Sequence, residues 1–540
     1  MKSFKIIVLL CLLSFCFSGL IESQGRTPYL KKTGNVTQLI VDDKPYLALG
    51  GELSNNAATN LDYLRALWPG LKERNLNTVL VAISWAQFEP SEGKYDYTIV
   101  DGVLKQAREN NMRLVLLWFG SWKNTWSSYV PDWIKKDFSK YPRVQLRDGS
   151  GTERLTPLSE VNQNADAKAF AAFMKHLKEV DSQDCTVIMI QVQNEVGVIP
   201  DARDHSPMAN RAYNGQVPRE LMDYLVKNRE TIAPELRTIW HAAGFKNSGT
   251  WEEVFGSGLP THDLFMAWYY AKYIGKVAEA GKAEYNIPMF ANAALIRTNY
   301  APGQFNSGGP LPHSADIWRA GGPQIDFIAP DIYFGFKEWS DKYVRNGNPL
   351  FIPEMSRGAN GASYVYYAIG HNNAIGVSPF GIDRSGGPND PLGRSYNILS
   401  QLSPLILEHQ TKGNVAGVVL ESITPSQKIT LGGYMLNIQG GNTQGQIQSG
   451  TISAAPDPHG IFIASGPDEF YMAGSGLTIT FSPLTDGPPI VGLATVEEGK
   501  FMDGKWVPGR RLAGDDTGQG NNVSLSRTTD ILRVTVYRYR

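Results

Sequence analysis

The chain has 540 residues, 42% of them apolar, with 12 Trp, 24 Tyr and 22 Phe. It is too long for one compact core and too rich in large apolar side chains for a disordered polymer, so at least two folded domains are expected. Fifty-one basic against 52 acidic residues leave a formal charge of −1, which speaks against nucleic acid as a partner and for a neutral one.

The first element is Met1-Lys-Ser-Phe-Lys5 followed by the apolar run Ile6 to Phe17 and the small residues Ser18 and Gly19. This is the pattern of an export signal, assigned here to residues 1–25. A lipid anchor on Cys16 is the rival, but the bulky Phe15 stands where a small residue is needed. Cys11 and Cys16 would leave with the signal, so no intrachain disulfide is expected at Cys185 and the protein fits a bacterial periplasm or exterior. No later stretch is long and apolar enough to span a bilayer.

From about Tyr46 to Phe380 short apolar runs alternate with longer helical patterns, as in repeated βα units. Eight strands are expected: Tyr46–Gly51, Thr78–Ser84, Arg113–Phe119, Val187–Asn194, Ile287–Ala293, Phe327–Tyr333, Leu350–Glu354 and Ala374–Phe380. Glu252–Phe255 competes for fifth place. Helices are expected at Asn60–Arg74, Ile99–Asn110, Asp166–Val180 and His262–Tyr285. Eight such units predict an α/β fold, a (β/α)8 TIM barrel over 26–400, with its site at the C-terminal strand ends. Beyond it, over 401–540, the runs at Val415–Leu420, Ile461–Ala464, Leu477–Phe481, Ile490–Ala494 and Ile531–Tyr537 are separated by Gly, Asn, Asp and Pro, which predicts a smaller all-β, sandwich-like domain. Two or three exposed Trp or Tyr in a row there would favour polysaccharide binding; Trp506 is its one Trp, which favours bracing.

Two strands end in a carboxylate. The run Val187–Ile190 passes into Gln191, Gln193, Asn194 and Glu195, and Pro349-Leu-Phe-Ile-Pro-Glu354 repeats the design. An ionised Glu at the end of a core strand is either paired or kept for chemistry, and two of them suit glycosidic cleavage. A two-residue period would put Asn194 and Glu195 on opposite faces, so both reach the cleft only if the strand bends. For Glu354 a salt bridge to Arg357 is the alternative. Tyr333, closing the sixth strand after Asp331, can donate to the neighbouring carboxylate. Trp118, Trp122 and Lys123 follow the third strand and Trp85 the second, and each suits a sugar face, although each tryptophan reads equally well as core. Glu52 after Gly50-Gly51 and Asn292 ending the fifth strand complete the substrate-binding candidates. Glu89, Tyr95 and Asp96 read as loop organisers. No metal-ligand spacing, nucleophile elbow or dinucleotide fingerprint is present, and no metal or cofactor is expected.

Asn194-Glu195 and Glu354 at strand ends four and seven resemble the catalytic strands of clan A glycoside hydrolases. The chain is identified here with family 35, the β-galactosidases, in its bacterial branch. The block Trp85…Glu89-Pro90…Gly93…Tyr95-Asp96 resembles a pattern shared by families 35 and 42. The third strand, Trp118-Phe-Gly-Ser-Trp-Lys123, departs from the Ala-Glu-Trp segment of eukaryotic family 35 members. The resemblance implies Glu195 as acid/base, Glu354 as nucleophile and Asn194 on the sugar 2-hydroxyl. The resulting expectation is a retaining exo-β-galactosidase acting on plant-type oligo- or polysaccharides. Another clan A glycosidase, such as an α-L-arabinosidase or endo-glycanase, and a non-catalytic carbohydrate-binding barrel are the alternatives.

Overall fold

The computed structural model describes residues 27–384, 390–421, 425–440, 456–526 and 531–540. The stretch read as an export signal lies outside the described residues. Eight parallel strands close into a barrel in sequence order: Ala48–Glu52, Thr78–Ser84, Arg113–Lys123, Val187–Asn194, Met289–Ala294, Phe327–Ile332, Phe351–Met355 and Gly376–Pro379. All eight are the expected ones, with ends shifted by a few residues. Glu252–Phe255 belongs instead to the helix Trp251–Phe255, which Thr250 and Glu253 start with reciprocal backbone caps.

The helices form because apolar residues recur at helical spacing behind good caps. Leu61–Glu73 starts at Asn60, whose side chain accepts from the amides of Asp62 and Tyr63, and it buries Leu64, Trp68 and Leu71. Glu160–Asp181 is capped by Ser159 and buries Phe170, Phe173, Met174 and Leu177, with Phe170 and Phe173 against Trp118 of the third strand and the helix packed along Leu259–Glu284. Inside the barrel, Leu80, Leu117, Phe119, Met189, Phe290, Phe327 and Phe351 pack into one apolar cluster. An antiparallel three-stranded sheet that the sequence pattern did not reveal, Tyr29–Thr33, Val36–Val41 and Lys44–Tyr46, adds Leu39 and Val41 to that cluster. The barrel end opposite the site is therefore covered by this sheet.

The helix Pro391–His409 runs across residues 400 and 401 and precedes a six-stranded and a four-stranded antiparallel sheet. Strands Ser426–Leu431, Tyr434–Gly440, Glu469–Ser475 and Lys505–Arg511 were not anticipated. The first two form a hairpin across Gly432-Gly433, whose φ values of 58° and 84° suit a tight turn. The six-stranded sheet packs on the barrel helix Ala359–Gly370, and a Cβ on Gly370 would fall 2.6 Å from Gly417 Cα. Trp506 lies against Tyr471 and Phe501 and joins the barrel's core, so it braces. Tyr537 and Tyr539, alternate residues of the last strand, stack on each other and are exposed.

Candidate active site

The fourth strand bends where the sequence requires it to. Gln193 has φ +66° and Glu195 φ +45°, left-handed conformations that cost a side-chain-bearing residue roughly 1–2 kcal/mol each. The two turns break the alternation, so Asn194 and Glu195 both reach toward strand seven. Surrounding hydrogen bonds hold the bend. Gln193 donates from Nε2 to Asp166 at 2.7 Å and accepts from the amide of Trp122 at 3.0 Å. The Glu195 amide donates to Asn292 Oδ1 at 3.0 Å, and its carbonyl accepts from Asn306 Nδ2 at 2.9 Å and the Thr125 amide at 3.2 Å. Asp166, fully buried on the long helix, also accepts from Trp118 Nε1 and from both the amide and hydroxyl of Ser121. Burial pushes its carboxyl up to about 6 even though these donors pull the other way. Gly120 leaves room for this knot, since a Cβ there would fall 2.8 Å from Gln193 Nε2 and 2.9 Å from Asp166 Oδ1.

Glu354 receives donors from three sides. Asn194 Nδ2 donates to Oε1 at 3.2 Å, Tyr333 OH donates to Oε2 at 2.7 Å, and Lys123 Nζ stands 3.7 Å from Oε1. Lys123 also donates to Asn194 Oδ1 at 2.9 Å, which fixes the amide so that its nitrogen faces Glu354. Strand register makes these meetings unavoidable, because Lys123 pairs with Asn194 and Asp331 with Glu354. Arg357 donates to the Gly381 carbonyl, so the salt bridge that would have consumed Glu354 does not form. One carboxylate oxygen each from Glu195, Asp331 and Glu354 lie within 4.8 Å of one another.

Burial gathers four carboxyls, Glu52, Glu195, Asp331 and Glu354, around one lysine. Burial first, then repulsion from Glu354, pushes Glu195 up to about 7, while Lys123 and a hydrogen bond with Asp331 pull the other way. Burial and the same carboxylates hold Glu52 and Asp331 well above the usual range. Burial alone would lower the Lys123 ammonium, but attraction to Glu354, Glu195, Glu52 and Asp331 wins and raises it. Glu195 is thus poised to give or take a proton near neutrality while Lys123 stays charged. Among the described residues the clustered metal-ligating groups are this same trio, and Lys123 already supplies positive charge beside it.

The structure brings Glu52, Lys123, Asn194, Glu195, Asn292, Tyr333 and Glu354 to one mouth. Asn292 is 2% exposed and commits its amide to the Glu195 backbone and to Asp331 at 2.6 Å, so it positions Glu195 instead of meeting a sugar. Lys123 is likewise spent on Asn194 and Asn124. The three tryptophans are corrections. Trp85, Trp118 and Trp122 are 0% exposed. Their indole N–H groups go to Glu89, Asp166 and the Leu155 carbonyl, and they pack against Phe88, Phe173, Tyr270 and Tyr273 behind the strands. Glu89 does organise its loop, accepting from Trp85 and from the Gly93 amide. The aromatic faces left in the open near the mouth are Tyr333, 45% exposed, and Trp126, also 45% exposed, with the Arg154 guanidinium 3.9 Å from its ring centre. Asp331 was missed as a site residue although alternation from Tyr333 places it on the same face. Asp166 and Asn306 gave no local signal, since helix and loop residues reveal their targets only in three dimensions.

Comparison with known proteins adds three findings. The family model described as β-galactosidase, glycoside hydrolase family 42, matches residues 66–357, and a domain of unknown function, DUF5597, matches 392–524. A curated β-galactosidase of Xanthomonas manihotis is 26% identical over 188 residues, 33% of this chain and 28% of that protein, so the chain spans less than a third of that relative's length. Solved structures include β-galactosidases from Rahnella sp. R3 (19% identity, TM-score 0.45, 67% of this chain and 57% of that one) and Bacillus circulans sp. alkalophilus (15%, 0.46, 67% and 57%). The assignment to family 35 is therefore replaced, while clan A stands: the block Trp85 to Asp96 has a pattern common to both families, and the match to the family 42 model covers more than half of the sequence. The chain belongs to glycoside hydrolase family 42.

Proposed function

We propose that the protein is a retaining exo-β-galactosidase working by double displacement. The observation that carries this is the pair Glu195 and Glu354, whose carboxylate oxygens approach within 4.8 Å at one barrel mouth. Retaining glycosidases set their carboxyls about 5–5.5 Å apart, whereas inverting ones leave about 6.5–9.5 Å for a water. Glu354 attacks the anomeric carbon as the glycosidic bond breaks, and Glu195 gives its proton to the departing oxygen. Water then attacks the glycosyl-enzyme, Glu195 takes that water's proton, and Glu354 leaves as carboxylate. Asn194 Nδ2, held toward Glu354 by Lys123, stands where a sugar 2-hydroxyl would meet it. The names of the family and of the curated relative support galactose as the sugar removed. Long loops after strands three, four and five support removal of a terminal sugar, because they are tied together, for instance by Val198 with Ser307, and wall the mouth. Side chains of plant cell-wall polysaccharides are the proposed source, and export through residues 1–25 would bring the enzyme to them.

The test is a hydrolysis screen over aryl β-D-galactoside, α-L-arabinoside, β-D-glucoside and β-D-fucoside, with the first-formed anomer followed by proton NMR. Galactoside preference with β-product first supports the reading. Arabinoside preference would reassign the sugar, α-product first would make the enzyme inverting, and no turnover of any would leave a binding protein.

A further inference from the structure

A carboxyl group outside the proposed catalytic pair, that of Asp331, lies beside Glu195. One carboxyl oxygen each of Asp331 and Glu195 lie within 4.8 Å of one another and both side chains are buried, so two negative charges there would repel strongly and a proton held by one and directed at the other relieves that repulsion. Asp331 Oδ2 is filled by Asn292 Nδ2 at 2.6 Å, and Oδ1 meets no donor among the described residues. Oδ1 is therefore the oxygen that can carry a proton to Glu195. Asn292 locks the arrangement, since the same amide accepts from the Glu195 backbone and donates to Asp331.

We propose that Asp331 is a positioning residue that stays a neutral carboxylic acid throughout turnover and donates a hydrogen bond to Glu195. The proposal rests on the glycosidase reading above. The groups facing Asp331 are Glu195, Glu354 and Glu52 from strands four, seven and one, Lys123 from strand three, Tyr333 beyond its own strand and Tyr343 from the adjoining helix. With three other carboxyls against one ammonium, a charged Asp331 would be repelled from most sides, and burial at 1% exposure adds to this. In the first step Glu195 loses its own proton to the leaving oxygen, and the Asp331 O–H then supports the new Glu195 carboxylate. In the second step Glu195 regains a proton from water. Asp331 gives up none. The donor thus lowers the cost of the charged form of Glu195 and keeps it aimed between Glu354 and the departing group.

Asp331→Asn and Asp331→Ala separate the possibilities. Asn copies a neutral acid, accepting from Asn292 and donating to Glu195, so kcat/KM for an aryl β-galactoside should stay within about threefold of wild type with its alkaline limb in place. Ala loses the donor, and the alkaline limb should move up by about one pH unit. A limb that moves down in Asp331→Asn would mean that a negative charge had been removed and would overturn the proposal, as would indistinguishable profiles for Asn and Ala. Infrared difference spectra of wild type against Asp331→Asn at pH 7 provide a readout independent of turnover. Loss of a protonated-carboxyl band supports the proposal and its persistence overturns it, whether or not the galactosidase reading survives the substrate screen.

Discussion

The proton on Glu195 makes activity depend on pH in a way that can be worked from the structure. As general acid Glu195 must start protonated, and burial with repulsion from Glu354 raises it from 4.5 to about 7. At that value about nine-tenths of the enzyme carries the proton at pH 6 and only about one-tenth at pH 8. An unshifted glutamic acid would be less than about one-hundredth protonated at pH 7. The rate for a substrate with a poor leaving group should therefore fall about tenfold for each pH unit above neutrality. In Glu195→Gln this limb should vanish, with kcat/KM for that substrate down by about 10²–10⁴. An activated aryl galactoside, whose leaving oxygen needs little help, should lose far less in the first step. Steady-state kinetics on both substrates across the pH range gives the answer. Wild-type activity flat through pH 9, or an alkaline limb that persists in Glu195→Gln, would refute the assignment.

The same shift acts on stability. A carboxyl whose folded pKa is raised costs nothing below its unfolded pKa and progressively more as pH rises through the folded one, so for Glu195 the window runs from 4.5 to about 7. Glu195→Gln should then be more stable than wild type at pH 8, by up to about 3 kcal/mol, with the gap closing by about pH 4.5; thermal melts across pH measure it, and an equal gap at both ends contradicts it. Tyr333→Phe removes the donor at 2.7 Å from Glu354 and should lower kcat/KM by about 10–100-fold. Because the ring is half exposed, its melting temperature should barely change, and a large drop would mark Tyr333 as structural. Trp122→Ala should destabilise by about 3–5 kcal/mol and Trp126→Ala by far less. Only the latter should raise KM, and the reverse pattern in KM would restore Trp122 to the sugar site.

Much of this architecture could be read from one sequence because its signals are local. The eight strands are short apolar runs between helical patterns, and each carboxylate proposed for catalysis stands at the end of one of them. The required bend at Asn194-Glu195 followed from alternation alone, and the structure meets it with two left-handed residues. The tryptophans were ambiguous for a physical reason. A Trp at a strand end faces either the cleft or the surrounding helices, and in Trp118 and Trp122 the partners that decide, Asp166, Tyr270 and Tyr273, come from distant helices. The missed sheet strands alternate weakly or lie across a Gly-Gly turn, as at Ser426–Leu431 and Tyr434–Gly440. Family 35 and family 42 could not be separated by a block they share, and the third-strand mismatch concerned only the eukaryotic members of the former.

The central claim is that a Glu354 carboxylate oxygen is the nucleophile that bonds to the anomeric carbon in a covalent glycosyl-enzyme. A 2-deoxy-2-fluoro-β-D-galactoside with an activated leaving group forms that intermediate but releases it slowly, so peptide mass spectrometry after brief incubation can locate the sugar. The account predicts one galactosyl label, on the peptide bearing Glu354, and none in Glu354→Gln. A label on Glu195 or elsewhere, or time-dependent inactivation without any attached sugar, would contradict it.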